Sequence, residues 1–207
     1  MLENSDKVSL STREIIKESE VSNLKIENLV EADLAHLSWA GSPLHLKTIE
    51  TTLKNSSDNQ MEYLVVRNPD GHPISIGKID YSSGAEYGLI SQLTTDESLR
   101  GLGIGTRLMQ EMEKRIQSRN REWVKLGVEE NNAQAKALYL RLGYKPYGEG
   151  KDSWEQEDRD GKISTYLADL ILKEKSCSLK LKAKIILMEM RNKTDIILVD
   201  QTFQQSN

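Results

Sequence analysis

Cysteine is almost absent from this chain: Cys177 is the only one among 207 residues. A single cysteine excludes a disulfide within the chain and a zinc site built from several thiolates. This scarcity is typical of proteins kept in a reducing compartment, and we expect a cytoplasmic location. Phenylalanine is just as rare, with one residue, so leucine, isoleucine, valine and the seven tyrosines must provide most of the core.

Long apolar runs and an excess of basic charge are also missing. No apolar run approaches the roughly 20 residues that cross a bilayer, and the charged N-terminal stretch has no signal-peptide core. The formal net charge is −4, whereas broad nucleic-acid binding requires a basic footprint. The three histidines do not have the spacing of metal ligands. We therefore expect no membrane, nucleic-acid or metal partner.

Strand and helix patterns alternate from Leu24 to about residue 173, without an internal repeat. Hydrophobic periodicity predicts strands at 24–29, 62–68, 72–82, 86–95 and 122–130, helices at 45–55, 104–118 and 132–143, and two final strands. This order indicates a single α/β or α+β domain. We place the domain at 23–175, between a polar N-terminal extension at 1–22 and a basic, then polar, C-terminal extension at 176–207.

A glycine-rich junction connects the predicted strand at 86–95 to the predicted helix at 104–118. Its sequence, RGLGIGT, has glycines at positions 101, 103 and 105. Glycines let the backbone approach a ligand closely, and the first turn of a helix offers unpaired N–H groups and a positive dipole end. Arg100 adds a cation beside them. The pattern therefore favours an anion site, most often for phosphate, over a plain turn.

Two common phosphate-binding motifs do not fit this junction. A dinucleotide fingerprint requires a glycine at the sixth position, but counting from Gly101 or Gly103 gives Thr106 or Leu108. A P-loop requires a lysine directly after the glycines, and this junction has none. Neither standard nucleotide motif is therefore present.

Two sequence blocks occur in order along the predicted domain. The first is R-x-x-G-x-G, formed by Arg100, Gly103 and Gly105 between a strand and an amphipathic helix. The second, VEENNAQAKALYLRLGY at 128–144, is a strand followed by a helix that ends at a glycine. Together they resemble the GCN5-related N-acetyltransferases (the GNAT superfamily), over roughly residues 24–173. The resemblance implies the GNAT fold: a central, mixed, mostly antiparallel twisted sheet of six to seven strands, flanked by helices and splayed between strands 4 and 5.

The resemblance implies an enzyme that transfers an acetyl group from acetyl-CoA to an amine by direct attack, without a metal. The residues it assigns to acetyl-CoA binding are Leu93, Thr94, Thr95, Arg100, Gly101, Leu102, Gly103, Ile104, Gly105, Thr106, Asn132 and Tyr139. The backbone N–H of Leu93 would polarise the acetyl carbonyl, and the Tyr139 phenol would act as general acid toward the CoA thiolate. Tyr139 could instead only pack against its helix neighbours. Asn132 is also expected to cap that helix.

The general base that deprotonates the amine is less narrowly defined. The resemblance implies a glutamate on the fourth or fifth strand, or a water chain to one, and the candidates are Glu86, Glu129 and Glu130. Of these, Glu86 and Glu130 are the ones we assign to the site. A solvated surface carboxylate is the simpler interpretation of each one taken alone.

The acceptor amine can be inferred only from charge. The segment 148–162, interpreted as a loop between the last two strands, has six acidic and three basic residues. An acidic rim would favour a cationic acceptor, such as a polyamine, an antibiotic-like amine, or a peptide or protein amine. A solvated loop explains the same charges, and Trp39 and Trp154 could either wall a pocket or simply pack.

Two functions other than catalysis fit the same residues. One is a non-catalytic acyl-CoA-binding or sensing module on the same fold, which would bind the ligand without turnover on any amine. The other is an unrelated nucleotide-binding protein that uses the glycine junction, which would bind ATP or NAD. The family resemblance also implies that the chain could be a homodimer.

Overall fold

The computed structural model describes residues 16, 21–55, 59–158 and 160–177. The strands among them are β1 (Lys25–Asn28), β2 (Met61–Arg67), β3 (Pro73–Asp80), β4 (Tyr87–Thr95), β5 (Trp123–Glu129), β6 (Lys145–Glu157) and β7 (Ile163–Ser176). The α-helices are α1 (Pro43–Asn55), α2 (Ile104–Ser118) and α3 (Ala133–Arg141). Two short 3-10 helices lie at Glu31–His36 and Glu97–Leu99.

All seven strands form one sheet in the order β1-β2-β3-β4-β5-β7-β6. Neighbouring strands are antiparallel except for β4 and β5, which are parallel. The predicted mixed, mostly antiparallel sheet is therefore confirmed. The last strand, β7, lies between β5 and β6. Its hairpin partner β6 therefore forms an outer edge of the sheet.

The two central strands part halfway along their length. Tyr87–Ile90 of β4 pairs with Trp123–Leu126 of β5, and no pairing between the two strands follows. From Gly127 to Glu129, β5 pairs with β7 alone. The second half of β4 keeps β3 on one side and has no strand on the other among the described residues. The predicted splay between strands 4 and 5 is confirmed.

A bulge interrupts β4 just beyond the point of parting. On β3, Ile76 pairs with Thr94 and Lys78 pairs with Ser91, so a single residue, Gly77, faces two residues of β4. Those two are Gln92 and Leu93. A bulge of this kind bends the strand and changes the direction of its backbone groups.

Helices cover both faces of the sheet. On one face α2 buries Ile104, Leu108, Met112 and Ile116, which lie one turn apart and contact the central strands. On the other face α1 contributes to a second core, formed by Leu29, Leu37, Ile49, Tyr63, Val65 and Ile76. Each such buried side chain contributes about 1.5–3 kcal/mol to folding. We refer to these as the α2 face and the α1 face.

The interpretation of 148–162 as a loop is wrong. β6 continues through this segment to Glu157, which pairs with Ile163 of β7, so most of the segment is strand. The acidic residues and glycines resembled a loop because an edge strand with two exposed faces has no apolar alternation to reveal it. Gly148 and Gly150 are accommodated in the strand, where they lie against the side chain of Leu172.

Both predicted extensions lie almost wholly outside the described residues. Only Ile16, Val21 and Ser22 are described from 1–22, and only Ser176 and Cys177 from 176–207. The division into a domain at 23–175 and two extensions therefore stays a prediction. Within the part of the chain that the structure describes, no helix is both long enough and apolar enough to cross a membrane.

Candidate active site

A cavity of about 680 Å³ lies where the second half of β4 meets the starts of α2 and α3. Its lining residues are Leu93, Thr94, Thr95, Leu99, Arg100, Gly101, Gly103, Ile104, Gly105, Thr106, Asn132, Gln134, Ala135, Ala137, Leu138, Tyr139 and Arg141. Every residue that the sequence assigned to acetyl-CoA lines it, except Leu102. Leu102 lines a neighbouring cavity of about 410 Å³, which shares Gly101, Gly103 and Thr106 with the first.

At two positions of the glycine junction, the backbone conformation itself requires glycine. Gly101 and Gly103 have φ values of 84° and 87°, in the left-handed region that L side chains rarely adopt. A Cβ at either position would meet no atom within 4 Å, so the space in front of them is open. Gly105 is different: a Cβ there would lie 3.5 Å from Thr95 Oγ1, which places the start of α2 against the end of β4.

Backbone amides without a backbone partner lie at this junction. The first backbone bond of α2 runs from the Arg107 N–H to the Gly103 carbonyl, at 3.0 Å. Among the described residues, the amides from Gly101 to Thr106 donate to no other backbone group. These orphan donors and the positive end of the helix dipole together favour a bound anion.

Arg100 is the cation beside these amides. Its Nε donates to the Thr95 carbonyl at 3.3 Å, and its guanidinium lies 3.7 Å from the exposed carboxylate of Glu97. An exposed ion pair of this kind is worth at most about 1 kcal/mol. Arg100 can therefore turn toward an anion in the cavity at little cost.

Ser75 on β3 fixes the unpaired half of β4. Its fully buried hydroxyl donates to the Thr94 carbonyl at 2.8 Å and lies 2.8 Å from the Thr95 hydroxyl. These contacts hold one edge of β4 to β3, which leaves the other edge facing the cavity. The sequence analysis missed Ser75, and its position within the apolar run PISIG was the only available signal.

Tyr139 on α3 lines the cavity and is 7% exposed. Burial raises the pKa of its phenol to about 12, so the group is protonated at neutral pH. Its ring meets the ring of Tyr144 edge to face, with the centroids 5.8 Å apart. The predicted helix cap is confirmed, because Asn132 Oδ1 accepts a 3.0 Å bond from the Ala135 N–H.

Most of the lining residues that the sequence analysis missed lie on α3. Ala135, Leu138 and Tyr139 follow Asn132 at helical spacing, so they share one face of the helix. That periodicity is a signal that could have found the first two from the sequence. Leu99, Gln134, Ala137 and Arg141 complete the missed set.

The three candidate base residues lie in different places. Glu86 precedes β4 at the end opposite the cavity, where its carbonyl accepts bonds from the Glu122 and Trp123 amides. Six strand residues lie between Glu86 and Leu93, so the two are about 20 Å apart. Glu130 is exposed, and its own carbonyl accepts a 2.6 Å bond from Lys136 Nζ. None of the three candidates belongs to the cavity lining itself.

Glu129 occupies the end of β5, beyond the point where β5 has left β4. Its half-buried side chain accepts a 2.9 Å hydrogen bond from the Tyr166 hydroxyl. Val124, Leu126 and Val128 point into the α2-face core, so strand alternation directs Glu129 toward the α1 face. A carboxylate therefore stands on the α1 face beside the parting of the sheet.

The α1 face near Glu129 combines aromatic and acidic groups. Trp154 and Tyr166 stack with ring centroids 4.9 Å apart. Glu157, at the end of β6, accepts a 3.1 Å bond from the Leu44 N–H at the start of α1. The β6–β7 hairpin thus reaches across to α1. Trp39, the other tryptophan considered for a pocket wall, packs against the second core.

The description "Acetyltransferase (GNAT) family" belongs to the family model that matches residues 29–144 of the chain. The chain therefore belongs to this acetyltransferase family, and the resemblance stated from the two sequence blocks is confirmed. No curated protein sequence matches the chain.

Solved structures share the fold at low sequence identity. A ribosomal-protein-alanine N-acetyltransferase from Brucella melitensis is 22% identical, with a TM-score of 0.58, and covers 74% of this chain and 99% of its own. A spermidine N-acetyltransferase from Vibrio cholerae, in complex with CoA and spermine, is 18% identical, with a TM-score of 0.58. The match covers 77% of this chain and 99% of that one. The ribosomal-protein-S18-alanine N-acetyltransferase from Escherichia coli is 18% identical, with a TM-score of 0.57. The match covers 75% of this chain and 95% of that one. At these identities the likeness establishes the fold alone.

Proposed function

We propose that this protein is an N-acetyltransferase that moves the acetyl group of acetyl-CoA onto a primary amine by direct attack. The observation that carries the proposal is the cavity along the unpaired edge of β4, which joins an anion-binding junction to a buried phenol. Membership of the acetyltransferase family supports the reaction class. The Vibrio cholerae neighbour, solved with CoA and spermine, supports this pair of substrate types.

The glycine junction fits the diphosphate of CoA. The amides from Gly101 to Thr106 offer several donors at one point, and the absence of Cβ atoms leaves room for phosphate oxygens. Arg100 supplies the balancing positive charge. The free edge of β4, at Leu93, Thr94 and Thr95, offers main-chain groups to the amides of the pantetheine arm.

The chain's own groups then act on the transferred acetyl group, which acetyl-CoA supplies as a thioester. The Leu93 N–H donates to the acetyl oxygen and stabilises the negative charge that develops there as the amine attacks. The Tyr139 phenol gives its proton to the departing sulfur. Cys177 is buried outside the cavity, with its Sγ 3.0 Å from the Arg121 carbonyl, and has no part in the transfer.

Glu129 is the base that we propose in place of Glu86 and Glu130. It is the candidate on the α1 face beside the parting of β4 and β5, and Tyr166 orients its carboxylate. An incoming ammonium must lose one proton before it can attack, and a carboxylate can accept that proton directly or through a water.

The acceptor that we propose is cationic. Glu129 and Glu157 carry negative charge on the α1 face, and the stacked rings of Trp154 and Tyr166 offer a surface for a cation or an alkyl chain. A polyamine, an antibiotic-like amine and a peptide or protein amine all have this chemistry. The expected homodimer and cytoplasmic location stay predictions.

The test is an acceptor screen that follows CoA release with a thiol reagent, using acetyl-CoA with polyamines, cationic antibiotics and short peptides. We expect release above the hydrolysis background with at least one amine. Acetyl-CoA binding by calorimetry, without release on any amine, would instead favour the non-catalytic acyl-CoA-binding module. Stabilisation in thermal melts by ATP or NAD, and none by acetyl-CoA, would favour an unrelated nucleotide-binding protein.

A further inference from the structure

The bulge of β4 contains a backbone conformation that needs support. Gln92 has a φ of 53°, in the left-handed region, although it is not a glycine. Such a conformation is unfavourable for a residue with a side chain, and it persists only where surrounding contacts hold it in place. The residue that follows, Leu93, lines the cavity.

The support comes from a tyrosine two strands away. The Tyr63 hydroxyl donates a hydrogen bond to Gln92 Oε1. Tyr63 lies in β2 and is 3% exposed within the second core, so its ring has little freedom to move. The side chain of Gln92 is thereby tied across β3 to a rigid part of the domain.

The direction of the Leu93 N–H depends on this arrangement. Because Gln92 and Leu93 together face Gly77, the amide that follows Gln92 does not take the orientation it would have in a regular ladder. β5 has already separated from β4 at this point, so no strand on that side constrains the amide. The left-handed backbone conformation of Gln92 therefore governs its direction.

We propose that the Tyr63 hydroxyl is a positioning group for acetyl transfer: through Gln92 it holds the β4 bulge, and so aims the Leu93 N–H at the acetyl oxygen. The proposal rests on the proposed function. Neither Tyr63 nor Gln92 lines the cavity. Loss of the hydroxyl should therefore impair the chemical step and leave the binding of acetyl-CoA largely intact.

The first experiment compares two tyrosine-to-phenylalanine variants. Tyr63→Phe keeps the ring in the core and removes only the hydroxyl. We expect kcat to fall about ten- to hundredfold, because a misaligned oxyanion donor costs that much, while the KM and Kd for acetyl-CoA stay within about twofold. Tyr81→Phe is the matched control: Tyr81 is 2% exposed, lies in the α2-face core, and has no hydrogen-bond partner for its hydroxyl among the described residues. It should leave kcat unchanged.

A double-mutant cycle tests whether Tyr63 acts through Gln92. Gln92→Gly removes the acceptor and makes the left-handed conformation easy to adopt. In that background Tyr63→Phe should have no further effect on kcat. An equal loss of kcat with or without Gln92, an unchanged kcat in Tyr63→Phe, or a parallel loss of acetyl-CoA affinity would overturn the proposal.

A measurement without turnover separates this proposal from the proposed function. The amide resonance of Leu93 in a ¹⁵N-labelled sample reports on the bulge whether or not an acceptor is known. We expect it to shift in Tyr63→Phe and not in Tyr81→Phe. An unmoved Leu93 resonance refutes the positioning role, whereas a wild-type protein that acetylates no amine refutes the proposed function instead.

Discussion

The Tyr144 phenol donates a 3.0 Å hydrogen bond to Glu113 Oε1, behind the ring on which Tyr139 packs. Lys175 of β7 binds both carboxylate oxygens of Glu113, at 3.0 and 2.8 Å. Burial, and then the negative charge of Glu113, raise the pKa of Tyr144 above its usual range, so the phenol remains a donor. The three side chains join α2 and β7 to the segment that follows α3, and this supports the wall of the cavity.

Tyr144→Phe removes this hydrogen bond and keeps the ring. A bond to a charged acceptor contributes about 1.5–3 kcal/mol, so we expect the free energy of unfolding to fall by that amount in urea denaturation. Tyr147→Phe, at an exposed position on β6, serves as the control and should change stability by no more than about 0.5 kcal/mol. Equal stability of the Tyr144 variant and the wild type would mean that the network adds nothing.

Tyr139→Phe separates the phenol's proton from its packing. If Tyr139 is the general acid, kcat with a responsive amine should drop about 10²- to 10⁴-fold, whereas the melting temperature and acetyl-CoA affinity should stay close to wild type. Because the pKa of the phenol is raised to about 12, its deprotonation should not limit the rate at or below neutral pH. A variant with unchanged kcat would leave Tyr139 as a packing residue only.

Gly103→Val should abolish tight acetyl-CoA binding because the new side chain would occupy the space of the ligand. A valine at a second glycine with the same backbone conformation separates this effect from backbone strain. Gly103 and Gly71 have φ values of 87° and 86°, and a Cβ at either would meet no protein atom within 4 Å. Gly71→Val, in the turn between β2 and β3, should therefore cost similar stability. Calorimetry should show at least about tenfold weaker binding for Gly103→Val alone. Equal loss of affinity in both variants would argue that backbone strain, and not the ligand, explains the effect.

The ion pair between Asp33 and Arg67 should make the free energy of unfolding depend on pH in the acid range. Asp33 is 6% exposed, and its oxygens lie 2.7 and 2.9 Å from the Arg67 guanidinium. Burial alone would raise its pKa, but the hydrogen bonds from Arg67 and from the Val30 amide outweigh burial, so the pKa lies below its usual value. The stability that this pair contributes is complete above the ordinary carboxyl pKa, and it is lost as pH falls through the lowered one.

Asp33→Asn should therefore destabilise the protein at neutral pH by about 1.5–3 kcal/mol, since it removes the charged hydrogen bonds to Arg67 and leaves Glu27 as the carboxylate beside that guanidinium. In urea titrations, the difference in free energy of unfolding between the variant and the wild type should become smaller as the pH is lowered toward and through the lowered pKa of Asp33. Glu50→Gln, which breaks an exposed pair with Lys54 on α1, is the control and should have little effect at either pH. A gap that stays constant with pH would contradict the assignment.

Local periodicity explains where the sequence prediction succeeded. The helix predicted at 104–118 matches α2 because Ile104, Leu108, Met112 and Ile116 repeat once per turn after a glycine-rich start. The residues that line the cavity mostly belong to two contiguous stretches, at 93–106 and along α3, and the family resemblance had singled out both stretches. The edge strand β6 was missed because neither of its faces is consistently apolar.

Contacts between distant positions could not be predicted in this way. Tyr63 and Gln92 are 29 residues apart, and Glu113 and Lys175 are 62 apart, so no repeat in the sequence links them. Glu86 was assigned to the site because it begins the predicted fourth strand, but the cavity lies at the other end of that strand.

The separation of β4 from β5 also matters for how the protein avoids aggregation. An unpaired strand edge ordinarily invites a strand of another molecule to add to the sheet, which is a route to aggregation. Here the beginnings of α2 and α3 stand over that edge, with Ile104 and Leu138 in the walls. Helices that cover a strand edge block such pairing, so the walls of the cavity also protect the open half of β4 from a second molecule.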